Sequence, residues 1–243
     1  MEEERLQKVI AESGYTSRRK AEELIIKGKV SVNGQTVDTL GVKVKKSDEI
    51  VVEGTLLTKS EKEYYLLNKP RGVVSTSSDE KNRKTVVDII ETNARIFPIG
   101  RLDYDTTGVL LLTNDGELTN ILTHPNNHVP KTYLAKLDRI IEMEDFYKIK
   151  DGVDIDGMTL KVTHLKLKKV DKKNNNCFVE LTICEGRNHI VKKLFNTLGY
   201  NVDKLTRTAY ATLGIGTLLS GEYRTLTKKE VHDLYLYRRK KWF

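Results

Sequence analysis

Cysteine, proline, tryptophan and long apolar runs are all scarce. Among 243 residues there are two cysteines, four prolines and one tryptophan, and aromatic residues make up 7%. Cys177 and Cys184 have no histidine or further cysteine clustered around them, so neither a disulfide framework nor a metal-ligand set is implied. Two buried thiols in a reducing cytoplasm is the expectation. No apolar run reaches the roughly eighteen residues that a membrane-spanning helix needs. The opening stretch MEEERLQK is acidic and then amphipathic, unlike a secretory signal. No repeat is visible, and the only low-complexity segment is Asn174-Asn175-Asn176.

Hydrophobic residues are 38% and charged residues 31%, the balance of a globular chain with an ample core. The length suits one good-sized domain plus a small one. Net charge is +8, which permits nucleic-acid binding without proving it.

The first sixty residues read as a small module. Leu6, Val9 and Ile10 share a helical face within 5–13. Gly14-Tyr15-Thr16 breaks that helix, Ser17 can cap a second, and Gly28 ends it. Arg18, Arg19 and Lys20 then occupy the first helical turn, where the helix dipole disfavours cations. Free helix-terminal N–H groups beside three cations make a phosphate cradle; a merely solvated helix start is the alternative. Asn33-Gly34 between Val30/Val32 and Val37 is a hairpin signal. Val42–Val44 and Glu49–Val52 read as short strands, and 58–63 is a charged linker.

From Tyr64 one larger domain is expected. Tyr64–Leu67 reads as a strand, and Asn68-Lys69-Pro70-Arg71-Gly72 as a turn with two exposed cations. Helices are expected over 85–91, 117–124, 140–149, 186–198 and 227–235. Strands are expected over 96–99, 109–113, 131–137, 161–169, 177–184 and 216–225. Strands and helices alternate but hairpins are frequent, so the fold class is α+β with a mixed, mainly antiparallel sheet. The domain boundaries are 2–60 and 64–237. The terminal run Tyr237–Phe243 is basic with aromatics and could follow a polyanion or be a frayed tail.

The chain is organised around GRLDYDTTGVLLLTNDG, residues 100–116. A glycine-led charged loop, Gly100-Arg101-Leu102-Asp103, enters turn chemistry and then a buried strand ended by Asn114-Asp115-Gly116. From spacing alone, a surface ion pair in a loop is the more economical reading. The string itself closely resembles the catalytic motif of RNA pseudouridine synthases, in the RsuA/RluB/RluE/RluF family of ribosomal RNA enzymes. Every fixed position of that motif is present. Its catalytic aspartate falls on Asp103, while Asp105 falls on a variable position. Lys69-Pro70-x-Gly72 resembles the family's first motif. The first sixty residues resemble the small RNA-binding module named after a small-subunit ribosomal protein, the S-four type, whose second helix faces RNA. Arg18, Arg19 and Lys20 carry that resemblance.

The resemblance implies the pseudouridine synthase fold and isomerisation of uridine to pseudouridine in ribosomal RNA, with no cofactor and no metal. The base must be flipped out of the stack, and an ionised carboxylate can act as nucleophile or as base. Tyr133 matches the tyrosine placed over the flipped base, although an amphipathic core tyrosine is the alternative. Lys192, in Glu185-Gly186-Arg187-Asn188-His189-Ile190-Val191-Lys192-Lys193, stands where the family commonly has an arginine partner of the aspartate. Lysine lacks the bidentate fork of arginine. Arg187 and Arg101 are candidate RNA contacts, and Leu205 matches a packing residue below the base. His189 reads as a helix-start histidine without a ligand set. The layout resembles the RluB-type branch, which acts on large-subunit ribosomal RNA. A small-subunit enzyme, and an RNA-binding ribosome-assembly factor with dispensable catalysis, are the alternatives. A glycoside hydrolase using Asp103 and Asp105 would need a sugar platform that the neighbouring sequence does not supply. The expected partner is ribosomal RNA, with no membrane, and a monomeric enzyme in the cytoplasm is the expectation.

Overall fold

The computed structural model describes residues 3–239, the side chain of Arg239 excepted, so the terminal residues 240–243 of the basic run lie outside the described residues. The chain divides into two compact units. One takes the chain up to Glu63 with Glu91–Ile96 and Asn114–Gly116; the other takes Tyr64–Ile90, Phe97–Thr113 and the chain from Glu117 on. Among the described residues no helix is long and apolar enough to cross a membrane.

In the first unit, helix α1 (Leu6–Glu12) and helix α2 (Arg18–Ile26) pack on a small sheet. Ser17 caps α2: its hydroxyl accepts the Lys20 N–H at 3.2 Å. Leu6, Ile10, Ala21 and Ile25 form one core with Val30, Val44, Ile50 and Val52. The sheet runs Gln35–Val37, Val30–Val32, Ile50–Val52, Thr55–Leu56, all antiparallel. The first pair turns through Asn33 and Gly34, whose φ values of 51° and 79° are those of the tight hairpin that Asn-Gly favours.

In the second unit, the described residues form a nine-stranded sheet. Its main path runs His164–Asp171, Asn176–Ile183, Lys131–Leu137, Val202–Tyr210, Thr107–Thr113, Tyr64–Lys69, Tyr223–Thr225. Within this sheet all pairings are antiparallel except one, Val202–Tyr210 beside Thr107–Thr113. That parallel junction is tight. At Gly108, φ +105°, a Cβ would fall 2.2 Å from the Arg207 carbonyl oxygen, so no larger residue fits. Helix α3 (Gly116–Thr123) and helix α6 (Lys228–Tyr235) bury Leu118, Ile121, Leu122 and Leu234 with Leu66, Val109, Leu111 and Tyr210. The mixed α+β architecture agrees with the expectation.

Several elements depart from it. Residues 85–91 hold only a 3-10 turn, Val87–Ile89. The Asp88 carboxylate accepts both the N–H and the hydroxyl of Thr85, and Thr85 bridges to Val74, which draws the segment towards a strand. Helix α4 (Met143–Asp151) starts at Met143, not 140: Ile141 is buried in the irregular segment before it, its N–H donating to Cys177 Sγ. Of 216–225 only Tyr223–Thr225 is strand. The hairpin Val153–Ile155/Met158–Leu160 and the long strand Val202–Tyr210 were not expected. The latter lacks apolar alternation because one of its inward side chains is Arg207, only 2% exposed.

Candidate active site

Asp103 sits in the loop just before the strand Thr107–Thr113, at the parallel junction. Three residues of the Lys69–Ser75 segment hold that loop. Ser75 Oγ donates to the Leu102 carbonyl at 2.7 Å and accepts its N–H at 3.2 Å. The Gly72 N–H donates to the Tyr104 carbonyl at 2.8 Å. Lys69 Nζ donates to the carbonyls of Pro70 and Thr106, both at 3.0 Å. Lys69 was expected to be exposed; it is fully buried. Burial pushes its ammonium down to about 8, opposed by the charges of Asp105 and Asp103. None of Ser75, Gly72 or Lys69 was expected to position the aspartate. Their hydrogen bonds join residues up to 37 apart in sequence, and only the Lys-Pro-x-Gly string hinted at this segment.

Helix α5 (Ile190–Thr197) supplies the cations. It buries Ile190, Val191, Leu194 and Phe195, which leaves Lys192 on the outer face. Lys192 Nζ lies 3.6 Å from Asp103 Oδ2 but 2.7 Å from Asp105 Oδ1. Lys192 also donates to Asp105 Oδ2 at 2.9 Å, and this bonding holds the Asp105 carboxyl below its ordinary range. The expected Lys192–Asp103 approach is present, but the tighter hydrogen bonds go to Asp105.

His189 Nε2 is 3.2 Å from Asp103 Oδ1, nearer than Lys192. The expectation of a merely helix-starting histidine is therefore corrected. His189 precedes α5 with φ 55°, and this left-handed turn accompanies a side chain directed to Asp103 instead of onto the helix. Arg187 is also placed differently. Its Nε pairs with Glu185 and its Nη1 donates to the Ile155 carbonyl at 2.8 Å, so the guanidinium expected to face phosphate ties down the unexpected hairpin.

A cavity of about 710 Å³ opens beside Asp103, lined by Arg101, Leu102, Tyr133, Leu205, His189 and Arg187 among others. Tyr133 and Leu205 are both buried, on the neighbouring strands Lys131–Leu137 and Val202–Tyr210. Arg101 is exposed at the loop. Arg18, Arg19 and Lys20 are exposed on α2 of the first unit. Among the described residues no group of three or more His, Cys, Asp or Glu side chains is gathered for a metal ion.

The sequence pattern of the RNA pseudouridylate synthase family matches residues 63–197, more than half of the chain. The chain belongs to that family. The pattern of the S4 domain matches residues 4–50. Ribosomal large subunit pseudouridine synthase B of Bacillus subtilis is 49% identical over 95% of both chains. An uncharacterised RNA pseudouridine synthase of Aquifex aeolicus is 38% identical over 97% of this chain and 95% of its own. A crystal structure of a pseudouridylate synthase superposes with a TM-score of 0.67 at 36% identity, covering 95% of this chain and 99% of that one. This pseudouridine synthase thus carries its Asp103 loop, its cavity and an S4 domain in one chain.

Proposed function

We propose that the enzyme isomerises uridine to pseudouridine in ribosomal RNA of the large subunit, with Asp103 as the catalytic carboxylate. The observation that carries this reading is the Asp103 loop itself, clamped by Ser75, Gly72 and Lys69 at the edge of the cavity. The 49% identity to a large-subunit enzyme supports the choice of RNA. On this reading residues 2–60 deliver RNA to a catalytic domain of 64–237. Tyr133 stacks on the flipped base, Leu205 packs beneath it, and Arg101 meets the RNA at the cavity mouth. Arg18, Arg19 and Lys20 contact phosphates, whereas Arg187 holds the hairpin beside the cavity.

The reaction moves one bond. The N1–C1′ bond breaks, a C5–C1′ bond forms, and a proton passes from C5 to N1, so no co-reactant is needed. Lys192 and His189 orient the Asp103 carboxylate as the entering RNA displaces water, the condition under which a nearby cation most favours the ionised form. The enzyme works as a monomer in the cytoplasm, where both of its free cysteines stay reduced. Chemical mapping of pseudouridine in ribosomal RNA, from cells with and without the gene, tests the reading. One large-subunit uridine should lose its modification in the deletion strain and regain it with the wild-type gene but not with Asp103→Asn. An unaltered large-subunit map would overturn the reading.

A further inference from the structure

The cavity has a second cationic end that the catalytic loop does not use. Lys131 and Arg207, on paired strands, both line it, and both lie against one ring. Lys131 Nζ is 5.5 Å and the Arg207 guanidinium carbon 4.9 Å from the centroid of Tyr210. The Tyr210 hydroxyl is anchored, donating to the Leu122 carbonyl at 2.9 Å. Among the described residues no carboxylate forms an ion pair with either cation. Lys131 donates to the Val129 carbonyl and Arg207 Nε to the Val109 carbonyl, but Arg207 Nη2 is buried without any hydrogen-bond partner. Thr106 Oγ1, on the same cavity wall, is also buried without one.

Two like charges, Arg207 buried and Lys131 half-buried, with a donor left over, are costly in the free protein. Burial and the neighbouring Arg207 push the Lys131 ammonium down to about 8, although Cys184 and Glu185 pull the other way. The nearby Glu185 carboxylate is already taken by Arg187. Such a floor lacks an acceptor that carries negative charge. A uracil ring presents two carbonyl oxygens. When its N1–C1′ bond breaks, the electron pair stays with the base, and the charge spreads over N1, O2 and O4 until C5 bonds to C1′. Donors fixed where charge develops are worth most in a site closed to water.

We propose that Lys131 and Arg207, braced on Tyr210, receive the carbonyl edge of the flipped uracil and hold its negative charge while the base is detached from the sugar. This rests on the reading of the enzyme given above. A backbone phosphate is the competing anion, and its contribution would lie in binding, not in the bond-breaking step.

The test uses the full chain and a large-subunit ribosomal RNA fragment carrying uridine or 5-fluorouridine at the modified position. Fluorine stabilises negative charge on the ring, so a 5-fluorouracil leaving group depends less on the floor. It cannot leave C5 as a proton does, so disappearance of the parent nucleoside is followed in both cases, in single turnovers at saturating RNA. Lys131→Met and Arg207→Gln should each slow loss of uridine by about 10²-fold, the loss typical of one removed charge-stabilising donor. The deficit should shrink to under about tenfold with 5-fluorouridine, and Arg207→Lys should recover part of the rate. Equal deficits on the two substrates, or a deficit that saturating RNA erases, would overturn the proposal. If Arg207→Gln fails to fold, the partly exposed Lys131 decides alone. Conversion of uridine by the wild type reports on the enzyme's reaction, whereas only the ratio between substrates reports on the floor.

Discussion

Lys192 holds Asp105 more closely than Asp103: its ammonium is 2.7 Å from the nearer Asp105 oxygen and 3.6 Å from Asp103. The two carboxylates share one lysine, and the one in the fixed motif position has the longer contact. Asp105 is the more exposed of the two, so solvent competes for it and the pair on that side is worth little by itself. On the proposed reading, entering RNA has only to displace an exposed carboxylate for Lys192 to turn fully to Asp103.

This arrangement separates the two acids. Asp103→Asn should fold, bind RNA and make no pseudouridine. Asp105→Asn removes the competitor for Lys192, so it should retain activity within about tenfold of the wild type, the ordinary scale of one lost exposed ion pair. Nucleoside analysis of modified RNA reads both variants. Full activity in Asp103→Asn, or complete loss confined to Asp105→Asn, would move the catalytic role to the second acid.

Lys192 and Lys193 are neighbours on α5 with different partners, since Lys193 pairs with Asp156 on the turn between Val153–Ile155 and Met158–Leu160. Lys192→Met should lose about 10²-fold in single-turnover rate with RNA affinity retained, as for a removed charge-stabilising group. Lys192→Arg should stay active. Lys193→Met should alter the rate little. A normal rate for Lys192→Met at saturating RNA would leave His189, at 3.2 Å, and the more distant charge of buried Lys69 as the groups acting on Asp103 among the described residues.

The motif around Asp103 was legible because it is contiguous: loop, turn and buried strand follow one another in 100–116. The small N-terminal module was legible for the same reason, with cap, helix and Asn-Gly hairpin all local signals. What escaped depends on distant pairings. Lys69 reads as an exposed turn cation until the carbonyl of Thr106, 37 residues away, is seen to take its proton donor. His189 has no local partner, and its link to Asp103 exists only because α5 is brought against the loop. The strand Val202–Tyr210 carries a buried arginine where periodicity looks for an apolar residue, so its pattern is broken at the place where it lines the cavity.

In the first unit, Arg18, Arg19 and Lys20 are exposed in the opening turn of α2, and among the described residues none is held in an ion pair. Cations unspent on the protein are free to displace counterions from RNA. Neutralising all three should lower the slope of log affinity against log salt by about 2, taking roughly 0.7 per single-strand phosphate contact. Filter binding from low to moderate salt measures it. The single-turnover rate at saturating RNA should stay near that of the wild type, and an unchanged salt slope would exclude phosphate contact at this helix start.

The last helix carries its own pH dependence. Thr227 caps α6 by accepting the Glu230 N–H at 3.2 Å, and the Glu230 carboxylate accepts the Thr227 N–H at 2.8 Å in return. Arg224 grips the same carboxylate through two nitrogens, at 2.6 and 2.9 Å. The Arg224 pairing, with these cap bonds, holds Glu230 down at about 2, against 4.5 for an ordinary glutamate. A carboxyl whose pKa is depressed by folding stabilises the protein above the unfolded value, and loses that contribution as pH falls through the folded one. Glu230→Gln should therefore cost about 1–2 kcal/mol at pH 7, the scale of a lost cap with a charge-assisted pair. The deficit should narrow as pH drops below 4.5 towards 2, where the wild-type carboxyl also becomes neutral. Thr227→Ala, which leaves the Arg224 pair in place, should cost about 1 kcal/mol with much less dependence on pH. Thermal melts of the three proteins between pH 7 and pH 3 separate the two contributions. A Glu230→Gln deficit that stays constant across that range would mean that shape and hydrogen bonding, not charge, hold α6 in place.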